Sequence, residues 1–406
     1  MEPSDFTENK NGQLVKMPLG YWAFIPHPLP PPVTLTWDLV NHLSEADRAL
    51  SELAGTARLL PNPHLLIGPF IRREAVLSSR IEGTQASLSD LLFFEASGSL
   101  DPKTPDTREV ANYVKAMEYG LARLEHLPLS LRLLRELHER LMDRVRGEHM
   151  TPGEFRRSQN WIGAPGCTLN EAVYVPPPVE AMEQSLVEFE TYLHAPSPLP
   201  LLIRLAVIHY QFEAIHPFLD GNGRIGRLLI TLLLCAEGAL KQPLFYLSAY
   251  FERHREEYYR LLLAVSQAGR WTEWIMFFLR GVAEQSRDAV ARAARLLELW
   301  RRYREEFQME RSSALQLRLV DLLFASPAIT VSRAAKVLGV THRSAQLTIN
   351  KFVRRSMLKE GTGKLRNRVF IAPEIVKIIE APQAAENQSV SESQLQEDGA
   401  RNTAGD

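Results

Sequence analysis

Two strongly apolar runs lie close together in this chain: "LLIRLAVIHYQFEAI", which ends at Ile215, and one that starts just after Gly223. The first must stop near His216-Pro217, because a proline disfavours the α region for the residue before it. The second reads as a new apolar helix. The intervening "HPFLDGNG" is therefore a tight loop that feeds a helix N-terminus. Any fold adopted by this chain has to close two buried helices around that loop.

Helical periodicity extends over most of the remaining sequence and is interrupted by proline-rich seams such as "PHPLPPP". Residues 130–146 place Leu131, Leu134, Leu137, Leu141 and Val145 on one face, with Ser130 as N-cap and Gly147 beyond the end. Segments 179–194, 200–215, 224–240, 252–268 and 271–307 follow the same rule, and the fold is expected to be mostly α. One exception is "EFRRSQNWIGAPGCTLNEAVYVPPPVE" at 154–180, whose β-prone "NWIG" and "AVYV" flank a Gly/Pro/Asn turn and read as a β-hairpin. The expected organisation is an N-terminal extension over 1–33, a helical region over 34–126, a core domain over 127–307, a small domain over 311–372 and a disordered polar tail over 380–406.

Composition narrows the setting. The start "MEPSDFTENKNG" lacks the basic and apolar regions of a secretory signal, and "LLITLLLCAEGAL" is too short to span a bilayer. Cys167 and Cys235 are too few for a disulfide framework or a zinc site, so a soluble cytoplasmic protein with no membrane partner is expected. The net charge of −1 conceals an uneven distribution: 311–372 is strongly basic and 373–406 acidic.

The loop carries its own chemistry. A helix N-terminus presents free backbone N–H groups and the positive end of a dipole, and glycines let a ligand come close to the backbone, so Gly221, Asn222 and Gly223 form an anion site. Arg224 and Arg227, three residues apart, can face one pocket and neutralise further phosphate oxygens. A lone Asp220 beside a polyphosphate suits a Mg²⁺ ion that keeps most of its coordination for water and phosphate. His216, with an ordinary imidazole pKa of about 6.5, can take a proton from a hydroxyl at neutral pH. Phe218 and Leu219 are expected to anchor the loop from beneath.

"HPFLDGNGRIGR" at 216–227 resembles the full signature of the Fic family, and the likeness extends over roughly 34–307. The resemblance implies an all-α (fido) core with a small β-hairpin flap. It also implies transfer of AMP from ATP to a protein Ser, Thr or Tyr hydroxyl, with pyrophosphate leaving. His216 would deprotonate the hydroxyl, Asp220 would hold Mg²⁺ across the α- and β-phosphates, and Asn222 with the 221–223 backbone would stabilise the α-phosphate. Arg224 and Arg227 would hold the β- and γ-phosphates. Gly223 sets this chain apart from a subgroup with Lys at that position, which phosphorylates its target instead. The hairpin resembles the family's flap, thought to align the target by main-chain pairing. Tyr246 and Tyr250 are candidates to wall the adenine.

Upstream, "FIRREAVLSSRIEGT" at 70–84 reads as a helix with Ile71, Ala75, Ser78 and Glu82 on one face. A carboxylate on an inward face needs a partner. Ser78, Glu82 and Gly83 resemble the family's inhibitory motif, whose glutamate pairs with the second motif arginine, here Arg227. Self-inhibition is the implied consequence, and some members use the same glutamate to assist AMP removal. The segment 311–372 resembles a winged helix-turn-helix, with a turn at Gly339. His342, Arg343, Gln346 and Lys351 would lie on or near the recognition helix, with Lys364, Arg366 and Arg368 on the wing. DNA or a protein is the candidate partner there, and a second copy of the chain is a candidate for dimerisation. A DNA-binding regulator that senses nucleotide is the alternative to an enzyme.

Overall fold

The computed structural model describes residues 1–6, 11–59, 64–97, 105–145, 150–308, 314–363 and 367–381. The expected polar tail from 382 on, Gly147, Lys364 and Arg366 lie outside the described residues. The chain divides into two compact units, Met1–Val290 and Ala291–Asp406.

The first unit opens with an antiparallel hairpin, β1 (Gly12–Lys16) and β2 (Trp22–Pro26), paired from Gly12↔Pro26 to Lys16↔Trp22. Helices α1 (Trp37–Leu59), α2 (His64–Ile81), α3 (Leu88–Ser97), α4 (Pro105–Arg123), α5 (Leu131–Leu141) and α6 (Val179–His194) follow. Next come α7 (Leu201–Ile215), α8 (Asn222–Ala236), α9 (Ser248–Arg253), α10 (Arg255–Ala268) and α11 (Trp271–Gln308). Both α7 and α8 are buried on nearly every side, as helices that are apolar all round should be. The residues between them are thus held between two fixed helix ends.

Local chemistry accounts for the ends of these elements. Ser130 caps α5 by accepting from Leu133 N, and the helix stops at Leu141, short of the expected 146, before Arg144 takes a positive φ of 52°. The expected 252–268 helix divides at His254, whose backbone leaves helical geometry.

The strands required the largest correction. The hairpin expected over 154–180 is reduced to one isolated antiparallel bridge, Ile162↔Tyr174, because helical-type turns fill most of the connection. A regular hairpin lies instead in the N-terminal extension. It supports the bridge segment: Phe24 N donates to Val175 O at 2.9 Å, and Tyr21 and Ala23 pack with Ala172 and Val175.

The second unit takes in the last part of α11, so the division falls inside that helix and not at 307–311. The reason is burial: Leu296, Leu299, Tyr303 and Phe307 are buried, with Tyr303 against Phe324 and Phe307 stacked on Phe352 at 4.6 Å. The order is then α12 (Ala314–Ala325), β3 (Ala328–Thr330), α13 (Val331–Leu338), α14 (His342–Arg354), β4 (Lys359–Glu360), β5 (Val369–Ile371) and α15 (Pro373–Glu380). The three strands are ordered β3-β5-β4. Thr330 and Thr341 cap α13 and α14, and Gly339 turns between them with a φ of 69° that favours glycine.

Phe24 is fully buried between Phe6 and Tyr174. Phe24→Ala should cost about 3 to 5 kcal/mol in a denaturant melt, the usual range for emptying such a site.

Candidate active site

The site is built where α7 ends and α8 begins. His216 closes α7 in the left-handed region, φ 49° and ψ 61°, which a non-glycine residue enters only when its surroundings demand it. Those surroundings are hydrogen-bond donors. Arg156 Nε donates to His216 O at 3.0 Å, and Asn160 Nδ2 donates to Phe218 O at 2.8 Å. Asn222 grips the same loop from inside, accepting from Phe218 N and donating to Phe218 O, both at 2.8 Å. Phe218 is buried as expected and stacks on His138, ring centroids 3.8 Å apart, whereas Leu219 is only half-buried.

His138 also sets the loop. Its Nδ1 accepts from Gly153 N at 2.9 Å, so the proton resides on Nε2, which donates to Asp220 O at 3.0 Å. Burial lowers the His138 pKa to about 4 and keeps it neutral. His216 uses Nδ1–H toward Glu213 O at 3.2 Å, which leaves Nε2 as an acceptor. Burial, with Arg156 adding to it, pushes the His216 pKa down to about 4 against the opposing charges of Glu82 and Asp220. An unprotonated imidazole at neutral pH is what a general base requires.

The expected anion site holds a carboxylate of the chain itself. Arg227 is buried and donates from Nη2 to Glu82 Oε1 at 2.6 Å and to Ser78 O at 3.0 Å, and from Nε to Ser78 Oγ at 2.8 Å. Its Nη1 is buried without a partner. The Glu82 carboxylate lies directly over the start of α8: a Cβ at Gly223 would collide with Glu82 Oε1 and approach Arg227 Nη1 to 2.9 Å. Burial would raise the Glu82 pKa, but the charge and hydrogen bond of Arg227 hold it below the usual carboxylate value. Gly83 follows with a φ of 95° that turns the chain out of α2.

Arg224 is buried between Glu109, 3.4 Å away, and Asp220, 3.6 Å away, and its Nε has no partner. Asp220 Oδ1 accepts from Gly221 N at 2.6 Å, and its side chain remains 48% exposed, so it can take a further ligand. Among the described residues no group of three or more His, Cys, Asp or Glu could hold a metal. One accessible carboxylate beside a helix N-terminus and two arginines still fits Mg²⁺, which draws most of its ligands from water and phosphate.

Residues 40–122 match the model described as Fic/DOC family N-terminal, and residues 128–234 match the Fic/DOC family model. The likeness to the Fic/DOC family covers these two stretches, somewhat less than half of the chain. Over 163 residues, 39% of its length, the chain is 32% identical to the protein adenylyltransferase Fic of Drosophila erecta. It is 33% identical to that of Drosophila virilis, again over 163 residues. The aligned stretch is 31% of each relative, so the chain spans less than a third of the curated relatives it matches. A Fic family protein from Desulfovibrio desulfuricans G20 shares the fold, with a TM-score of 0.55 at 21% identity over 85% of this chain and 98% of that one.

The two candidates for an adenine wall lie in aromatic and polar packing. Tyr246 is buried, and its hydroxyl faces the Glu74, Cys235 and Tyr113 side of the helical packing. Tyr250 packs on His254 and Phe277. Helical spacing could not separate core aromatics from site aromatics. Tyr259 on α10 reaches the site, its hydroxyl 3.5 Å from Ile81 O and the residue 41% exposed. His138, Arg156, Asn160 and Glu213 were also missed, since each acts on the loop through backbone or burial and carries no motif. The one available signal was His138, a polar residue on the apolar face of α5.

Glu213 sits under the loop against Gly226, where a Cβ would collide with its Oε1. Burial pushes its pKa up to about 8, with Arg227 opposing and Glu82 adding. Because the folded value exceeds the unfolded one, its contribution is complete below the ordinary carboxylate range and is lost as pH rises through about 8. Glu213→Gln should therefore gain in melting temperature relative to the parent between pH 7 and 9, as read by differential scanning fluorimetry.

Proposed function

We propose that this chain is a protein adenylyltransferase that uses ATP to modify a Ser, Thr or Tyr hydroxyl of another protein and that restrains itself through Glu82. The observation that carries the reading is convergence on one pocket: the α8 N-terminus, the buried Arg224 and Arg227 with unpartnered nitrogens, and the free Nε2 of His216. His216 Nε2 accepts the target's proton, the target oxygen bonds to the α-phosphorus, and the bond to the bridging oxygen breaks to release pyrophosphate. The 221–223 backbone and Asn222 orient the α-phosphate, and Arg224 and Arg227 take charge on the β- and γ-phosphates. Mg²⁺ held at Asp220 would supply charge neutralisation across the α- and β-phosphates.

With Glu82 on Arg227, the γ-phosphate meets a carboxylate instead of a free guanidinium, and ATP is left poorly oriented for in-line attack. A cytoplasmic setting suits the free thiols of Cys167 and Cys235.

We also propose that the second unit is a winged helix-turn-helix that contacts duplex DNA. Helix α14 carries Arg343, Lys351 and Arg354 and no carboxylate, with Leu347 58% exposed on it. Gln346 donates to Asn350 Oδ1 at 2.8 Å and accepts from the exposed Arg368, which places polar groups suited to base edges beside a basic helix face.

Labelled-ATP incorporation should rise at least about tenfold in Glu82→Gly and vanish in His216→Ala, in line with the loss of a general base and nucleophile activator; unchanged incorporation in both would defeat the enzyme reading. Fluorescence anisotropy of the full chain with duplex DNA should show affinity that falls steeply with salt. No binding at low salt would remove the DNA role.

A further inference from the structure

Arg156 is buried and, among the described residues, donates only to carbonyl oxygens. Its Nε meets His216 O, its Nη2 meets Pro177 O, and its Nη1 meets Ser158 O at 3.3 Å. Its own backbone N donates to Pro217 O at 2.9 Å. No carboxylate lies within ion-pair distance of it among the described residues. A guanidinium removed from water without a counter-charge is costly, and it persists where its planar fork meets several carbonyls at once.

These carbonyls come from two places. Ser158 and Pro177 form the root of the bridge segment, on either side of the Ile162↔Tyr174 pairing, and His216 and Pro217 form the turn that carries the imidazole. Further ties join the same two pieces. Asn160 Nδ2 reaches His216 O at 3.3 Å and Phe218 O at 2.8 Å, and Tyr174 OH donates to Ala214 O at 2.9 Å. Nothing in this set touches Gly223, Arg224 or Arg227.

We infer that Arg156 is a positioning residue that locks the bridge segment to the His216 turn, so that the target-facing strand and the group that deprotonates the target move as one body. The inference rests on the adenylyltransferase reading for its catalytic consequence, but its structural content can be measured without activity. The bridge segment exposes Trp161, Ile162 and Val173. A target strand that pairs there is thereby set at a fixed distance from His216 Nε2, and a displacement of about 1 Å in such a geometry costs on the order of 100-fold in rate.

The lock separates two functions that share one loop. Nucleotide is held from α8, and the target and base are held from Arg156. Loss of Arg156 should therefore leave ATP binding intact and impair transfer.

The test uses the full chain in the Glu82→Gly background with Arg156→Met and Arg156→Lys. In Arg156→Met, ATP affinity by calorimetry should stay within about twofold while transfer kcat falls about 100-fold, and Arg156→Lys should recover part of the loss because its ammonium still reaches one carbonyl. Hydrogen–deuterium exchange should speed up together at 158–176 and 214–219 and remain unchanged along 224–234. Faster exchange at 158–176 alone, or equal losses of ATP affinity and kcat, would overturn the lock. If Arg156→Met does not fold, Arg156→Lys alone decides by the same readings. Absence of transfer in every variant with coupled exchange retained would refute the enzyme reading and leave the lock standing.

Discussion

The buried guanidinium of Arg227 is answered by negative charge, and the identity of the answering group decides the state of the site. Here the answer comes from α2. Ser78 and Glu82, one helical turn apart, take Nε and Nη2, and the carboxylate comes to rest over Gly223 at the head of α8. The α8 N-terminus, the glycine that permits close approach and the arginine side chain all favour an anion at that point. In the proposed reading a polyphosphate and Glu82 would compete for the same attraction, so the proposed restraint uses the same physics as the proposed binding.

The loop that supports this competition is held mainly by side chains gripping backbone. His138, Arg156, Asn160 and Asn222 all donate to carbonyls between residues 216 and 220, and together they keep His216 in a backbone region that it would otherwise leave. Buried donors that meet carbonyls act at short range and fix geometry without adding net negative charge near the imidazole. The His216 imidazole, the proposed base, is consequently kept neutral and oriented by neighbours to which no chemistry is assigned.

Much of this was legible in the residue order. The helix stop at His216-Pro217, the glycines around Asn222 and the stripe containing Ser78 and Glu82 are local patterns, governed by backbone sterics and helical period. The aromatics were harder to place, because Tyr246, Tyr250 and Tyr259 all lie in helical or near-helical sequence and only packing shows that Tyr259 lies near Glu82. The N-terminal hairpin was missed for a related reason: its strands are short, and they are stabilised by Phe6, Tyr174 and Val175, two of which are far away in sequence.

The sequence by itself determined the helix–loop–helix, the residue types of an anion site and the presence of a carboxylate on an inward helix face, since each follows from interactions within a few residues. The meeting of Glu82 with Arg227 across 145 positions was implied by resemblance alone and is seen in the tertiary structure, and only the tertiary structure decided that Arg156 reaches His216 across 60. Pairings at such separations depend on how α2, α8 and the bridge segment pack, and no local period encodes that.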